Sequence, residues 1–299
     1  MKIVFHFDGS SALGTRLESL GVHMCPESDE RRFHSLLPEM EVLWHVLKPV
    51  TAQVIERSPK LKLIQKIGSG VNTIDIEAAK RRGIAVCNLP GTNSRAVAEM
   101  TLLLMLACLR RLPDLQKAVQ AGDWGSAWKL QDQFGELGGR TVGLLGYGEV
   151  PKILLPILGA MGAKVLYWSR TRGNADLATL LSTSDIVSLH LPLTPETKFI
   201  LDPRQMKRGA VLVNTARGGL VNQDFLEEAL RSGHLGAAGL DVFAEEPIPA
   251  DHPLLRLENV VCAPHLSWLT QETLERSIGA ALQNVTRLRN GVPLENRVA

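Results

Sequence analysis

No charge of one sign dominates this chain. Lysine and arginine number 33 against 31 aspartate and glutamate, the net charge is +2, and no basic block stands out. The electrostatic footprint of a nucleic-acid binder is therefore missing. Long apolar runs are missing too: the longest, residues 100–109, contains Thr101 and is too short to span a bilayer. The opening MKIVFHF has no small-residue cleavage site and no long apolar stretch behind its lysine. It is expected to be a first strand rather than a signal peptide. Cysteine is scarce, with Cys25, Cys87, Cys108 and Cys262 standing singly among apolar neighbours. That spacing fits neither a redox pair nor a zinc site, so reduced thiols in a cytoplasmic protein are expected. No His/Asp/Glu cluster has metal-ligand spacing. Internal repeats and low-complexity segments are lacking as well.

What is there is the composition of a soluble globular protein, and 299 residues suffice for two domains with a core each. Strand and helix signals alternate from the start. Strands are expected at 2–7, 22–25, 42–47, 61–67 and 84–87, with short helices between them. A second series has strands at 141–145, 164–168, 186–189, 210–214, 236–240 and 260–262. Such alternation implies parallel sheets covered by helices on both faces. Residues 93–111 form a long helical signal, apolar nearly all round, and are expected to be buried between domains or subunits. Residues 112–139 read as an irregular arm with Trp124, Trp128 and Phe134 among polar neighbours. It is either a surface loop packed on its own aromatics or a dimer contact, and the contact is favoured. A last helix at 271–290, stopped by Gly291, is too long for a crossover and would return to the first domain.

Residues 141–151, TVGLLGYGEVP, have the layout of a strand, a glycine turn and a helix start. Glycines there let backbone N–H groups approach a pyrophosphate, and the helix N-terminus adds free donors. Where the dinucleotide fingerprint wants a third glycine this chain has Pro151. Proline is acceptable in a first helical turn, so the helix is expected to begin at Glu149 or Val150, with Pro156 kinking or shortening it. In open α/β sheets ligands bind beyond the carboxyl ends of strands. The polar residues there are Gly68-Ser69-Gly70, Gly146-Tyr147-Gly148, Ser169-Arg170-Thr171-Arg172, His190-Leu191-Pro192, Thr215-Ala216-Arg217, Asp241 through Glu246, and His265. After the second strand of the series NAD-specific domains carry an acidic residue. Here Ser169, Arg170, Thr171 and Arg172 occupy that place, an arrangement suited to a 2′-phosphate.

GSGVNTID at 68–75, NTARGGLV at 214–221, GLDVFAEEP at 239–247 and APH at 263–265 together resemble the D-2-hydroxyacid dehydrogenase family over nearly the whole chain. LWHVLKP at 43–49 and YWSRTR at 167–172 are similar to segments of its NADPH-using glyoxylate/hydroxypyruvate reductase branch. The resemblance implies an α/β fold of two doubly wound parallel-sheet domains. One is a flavodoxin-like substrate domain at 1–92 and 269–299. The other is a Rossmann cofactor domain at 93–268, with a dimerisation arm at about 112–139. It implies His265 as the acid that protonates the substrate carbonyl oxygen, with Glu246 bonded to the other ring nitrogen and favouring the imidazolium. Arg217 would hold the substrate carboxylate and polarise the carbonyl. Backbone N–H groups of Ser69, Gly70 and Val71 would bind the same carboxylate, and Trp44 and Trp268 would line the pocket. Asp241 would fix the nicotinamide carboxamide. The remaining cofactor contacts would come from Glu149, Val150, Thr197 and Ser267.

Bland readings stand beside these roles. Glu245 could serve in place of Glu246, Asp241 could cap a turn, and both tryptophans could be core. The activity expected is reduction of a small 2-oxo acid by NADPH, with NADH also accepted, by a homodimer without nucleic-acid or membrane partners. Alternatives are the same fold acting on another 2-oxo acid, or a non-catalytic dinucleotide-binding regulator.

Overall fold

A computed structural model describes residues 1–299. The chain divides into two compact units, residues 1–93 with 270–299, and residues 94–269.

The first unit is built on β1 (Ile3–His6), α1 (Ser11–Ser19), β2 (Val22–Cys25), α2 (Glu30–Leu36), β3 (Val42–His45), α3 (Ala52–Glu56), β4 (Leu63–Lys66), α4 (Ile76–Arg81) and β5 (Ala85–Cys87). The strands form one parallel sheet in the order β2-β1-β3-β4-β5, which places a topological switch point between β1 and β3. Polar side chains start the helices where the sequence supplies them. Ser10, Asp29, Thr51 and Asp75 each accept a backbone N–H of the first turn. One face of the sheet packs Val4, Leu43, Ile64 and Val86 against Leu37, Ile55 and Ala79.

The second unit starts with α5 (Ser94–Arg110), α6 (Leu112–Gln120) and α7 (Trp124–Trp128). The expected irregular arm is thus largely helical. Pro113 is tolerated because it lies in the first turn of α6, and Asp123 caps α7. Trp124 is 66% and Trp128 73% exposed. There follow β6 (Thr141–Leu145), α8 (Glu149–Ala160), β7 (Lys164–Trp168), α9 (Leu177–Thr183), β8 (Ile186–Leu189), β9 (Val211–Asn214), α10 (Gln223–Arg231), β10 (Ala237–Leu240) and β11 (Val260–Cys262). Their parallel sheet has the order β11-β10-β9-β8-β6-β7, with its switch point between β6 and β8.

Alternation along each strand feeds two cores, as a doubly covered sheet requires. Val142, Leu144, Val211 and Val213 pack with Leu104 and Met105 of α5 and Leu154 and Leu158 of α8. Leu145, Val187, Leu189, Leu212 and Leu240 pack with Leu180 of α9 and Leu226 and Leu230 of α10. At Gly239 a side chain is excluded, because a Cβ would lie 2.9 Å from Leu104 Cβ. After this unit α11 (Gln271–Arg289) returns to the first. Its Asn284 donates to Gln65 Oε1 at 2.8 Å, so the helix is tied to β4 by a buried amide pair.

Candidate active site

In the second unit the switch point sits where β6 and β8 end. Gly146 follows β6 at φ 115°, and a Cβ on it would lie 2.5 Å from the carbonyl oxygen of His190, so the turn admits only glycine. The helix α8 begins at Glu149 with Pro151 in its first turn and continues through Pro156 to Ala160. Asp176 caps α9 and Asn222 caps α10, whereas α8 opens on Gly148 with no side-chain cap. A Cβ on Gly148 would meet no atom within 4 Å. Free first-turn N–H groups beneath open space fit the phosphates of a dinucleotide. The ring of Tyr147 stacks on Tyr167 with centroids 4.4 Å apart, which anchors the loop to β7.

Beyond β7, Ser169 Oγ donates to Arg172 O at 2.9 Å and accepts from Arg172 N at 3.0 Å. This closes a tight turn with Arg170, Thr171 and Arg172 exposed on it. His190, with Ser188 Oγ 3.0 Å from its Nε2, has its pKa pushed down to about 3 by burial and is neutral. Thr197 is buried and staples the following loop, donating to Pro192 O at 2.6 Å and accepting from Thr194 N at 2.8 Å. Leu191, like Pro192, sits between His190 and that staple.

The candidate residues Arg217, Glu246 and His265 come from three strand ends. After β9 the buried Asn214 folds the turn back on itself. Its Oδ1 accepts from Ala216 N at 3.0 Å and its Nδ2 donates to Arg217 O at 2.9 Å. Thr215 is held by Thr101 of α5, hydroxyl to hydroxyl, at 2.9 Å. Burial lowers the pKa of the Arg217 guanidinium and the charge of Glu246 raises it, so the two groups are within electrostatic reach. After β10, Glu246 Oε1 accepts from Phe243 N at 2.9 Å and Oε2 lies 2.6 Å from His265 Nδ1. Burial pushes this carboxyl up, but the bond and charge of His265, the Phe243 N–H and Arg217 outweigh it and hold it below the usual range. Glu246 is therefore ionised and accepts from Nδ1–H, and Nε2 takes no part in this bond. Glu245 beside it is exposed and has no bond to His265.

His265 stands at φ 56°, a left-handed conformation uncommon for a side-chain-bearing residue. Asp241 holds it there. Asp241 O accepts from His265 N at 2.8 Å, and the two carboxylate oxygens accept from Leu266 N at 2.9 Å and Ser267 N at 3.0 Å. Asp241 is fully buried, so its visible work is to clamp the loop rather than to face a ligand. Ser267 and Trp268 are buried directly after the clamp.

In the first unit β4 runs into Gly68, at φ 135°. Leu89 N and Asn88 Nδ2 donate to the carbonyls of Gly68 and Ser69, both at 2.8 Å, and Val50 N donates to Thr73 O at 2.8 Å. The N–H groups of Ser69, Gly70 and Val71 take part in none of these bonds, which leaves three successive donors for an anion. Trp44 is fully buried, edge-on to Phe5 at 5.8 Å, and contributes packing to the sheet. Asn214 carries no signal in isolation, since its work is done on neighbouring backbone, and Thr101 carries none because its partner hydroxyl is 114 residues away in sequence.

A family model described as D-isomer specific 2-hydroxyacid dehydrogenase, NAD binding domain, matches residues 102–267. The chain belongs to this family of oxidoreductases, and its second unit is the NAD(P)-binding domain. Among its relatives, a glyoxylate reductase of Korarchaeum cryptofilum is 38% identical over 81% of this chain and 77% of its own. A hydroxypyruvate reductase of Blautia hydrogenotrophica is 32% identical over 89% of this chain and 88% of its own. In structure the chain is similar to the TT0316 protein from Thermus thermophilus, with a TM-score of 0.88, 35% identity and full coverage of both chains. No helix is long and apolar enough to cross a membrane.

Proposed function

We propose that this protein reduces a small 2-oxo acid of the glyoxylate or hydroxypyruvate kind to its D-2-hydroxy acid. The observation that carries the reading is the 2.6 Å contact between His265 Nδ1 and Glu246, within electrostatic reach of Arg217. Bound reduced nicotinamide supplies the hydride. Arg217 fixes the substrate carboxylate and draws electron density toward the carbonyl oxygen, as its rigid fork of donors allows. Within the first unit, the N–H groups of Ser69, Gly70 and Val71 are donors suited to an anion. His265 delivers the proton from Nε2 as negative charge develops on the carbonyl oxygen, and Glu246 stabilises the charged ring before transfer. Gly146, Gly148, Glu149 and Val150 offer backbone to the pyrophosphate.

The cofactor we assign is NADPH in preference to NADH. Exposed Arg170 and Arg172 on the turn closed by Ser169 support this, because a 2′-phosphate wants charge and forked donors. Arg170→Ala should raise KM for NADPH about tenfold or more and leave that for NADH nearly unchanged. Equal or lower KM for NADH in the unmodified enzyme refutes the preference. We assign a homodimer through α6 and α7, whose Val119, Trp124 and Trp128 are each more than half exposed. Sedimentation as a monomer at working concentration would rule that out. A cytoplasmic location completes the reading, supported by the singly placed free cysteines.

A further inference from the structure

Glu246 orients His265, so whatever fixes the loop before Glu246 sets the geometry of the pair. That loop is gripped at two successive peptides, Val242–Phe243 and Phe243–Ala244. The Phe243 N–H donates to Glu246 itself at 2.9 Å. The Ala244 N–H donates to Oε1 of Gln223, also at 2.9 Å. On the remaining side lies Gly218, next to Arg217: a Cβ there would be 2.0 Å from the Phe243 carbonyl and 2.5 Å from Ala244 N. Gln223 opens α10, its place fixed by the Asn222 cap. Its Nε2 lies 2.7 Å from Nε2 of His252. Since Ala244 offers a donor, the amide must present its oxygen there and its NH2 to His252.

We propose that Gln223 is a positioning residue for the reaction. It holds the Phe243–Ala244 peptide against Gly218, so that Glu246 meets His265 Nδ1, and the other end of its amide rests on His252. The proposal rests on the dehydrogenase reading of Glu246 and His265. Gln223 does not touch the reacting atoms; it acts through Glu246.

The clasp predicts which replacement is tolerated. Gln223→Leu removes the acceptor for Ala244. Gln223→Glu keeps it. The His252 ring also receives Leu254 N at Nδ1, 3.2 Å away, and a neutral imidazole accepts at one nitrogen only. A carboxylate at 223 can accept from Nε2–H and so satisfies both sides of the ring.

The test combines steady-state kinetics with the low-field proton NMR line of the His265–Glu246 hydrogen bond, assigned by its loss in Glu246→Gln. Expected for Gln223→Leu is a kcat lowered about tenfold or more, with KM for the cofactor within about twofold. The low-field line should broaden or vanish. Gln223→Glu should restore both kcat and the line. A Gln223→Leu protein with wild-type kcat and an unmoved line overturns the proposal, as does a Gln223→Glu protein as damaged as Gln223→Leu. If the leucine variant does not fold, Gln223→Glu and the near-isosteric Gln223→Met carry the test, with a retained line expected in the first and a broadened one in the second; the reverse overturns it. The line is read without turnover. An unmodified protein inactive on every 2-oxo acid, but with a line that responds to Gln223, refutes the substrate reading and leaves the clasp standing.

Discussion

Arg217 and Glu246 show how the charges of this site hold one another in place. Burial alone works against both the guanidinium and the carboxylate, and each is favoured by the other. Replacing Arg217 by lysine keeps the charge but loses the planar fork, and kcat/KM for the 2-oxo acid should fall about a hundredfold or more. Glu246→Gln should lower kcat by about a hundredfold with little change in cofactor KM, since the ring of His265 loses a charged partner. Steady-state kinetics on both variants checks these outcomes. The letters of Arg217, Glu246 and His265 were legible in the sequence because they end strands and fall in recognisable segments. Glu246 was preferred to Glu245 because the resemblance puts the glutamate directly before a proline, and the 2.6 Å contact with His265 is made by Glu246. The clamp made by Asp241 was not legible, because its partners are backbone N–H groups that every residue carries. Gln223 was missed for the same reason.

Among the elements, the junction of the 217–219 turn with the 243–246 loop is the tightest. Gly218→Ala would force a Cβ to within 2.0 Å of the Phe243 carbonyl, where backbone and not a flexible side chain must yield. A loss of about 1–3 kcal/mol in stability, with a larger loss of activity than of cofactor binding, is expected. Urea denaturation and cofactor titration read the two effects separately. Strand positions were largely legible because hydrophobic runs bounded by glycine, proline and caps mark them. Pro151 was legible too: it lies in the first turn of α8, where its missing N–H costs nothing. The helices α6 and α7 were not foreseen: Leu112, Leu115, Ala118 and Val119 do recur at helical spacing in α6, but Pro113, Gly122 and Gly125 carry the signals of a loop.

Over the whole molecule, stability should depend on acid through buried histidines. His6 is stacked on Phe33 at 3.8 Å, and burial together with the charge of Lys48 lowers its pKa from 6.5 to about 4. In the native state the ring stays neutral over that interval while the unfolded chain takes up a proton. Stability is therefore full above pH 6.5, declines as pH falls below it, and the loss is complete once pH has passed about 4. The loss from this residue amounts to about 3 kcal/mol. His6→Phe, which keeps a ring against Phe33, should flatten the acid limb of a plot of unfolding free energy against pH; an unchanged slope would contradict it. The two-sheet architecture was legible from the β/α alternation. The burial of His6 was not, because its environment is assembled from α2 and the loop after β3.

We assign to His265, oriented by Glu246, the protonation of a 2-oxo acid during reduction by a nicotinamide cofactor. The measurement that tests it most directly is oxidation of NADPH, followed by its absorbance, with glyoxylate and with hydroxypyruvate, for the unmodified enzyme and for His265→Ala. The account predicts turnover of at least one of these acids and a kcat lowered about a hundredfold or more in the variant, with NADPH still bound. Turnover that survives the loss of His265 would contradict it, and so would cofactor binding without reduction of any 2-oxo acid.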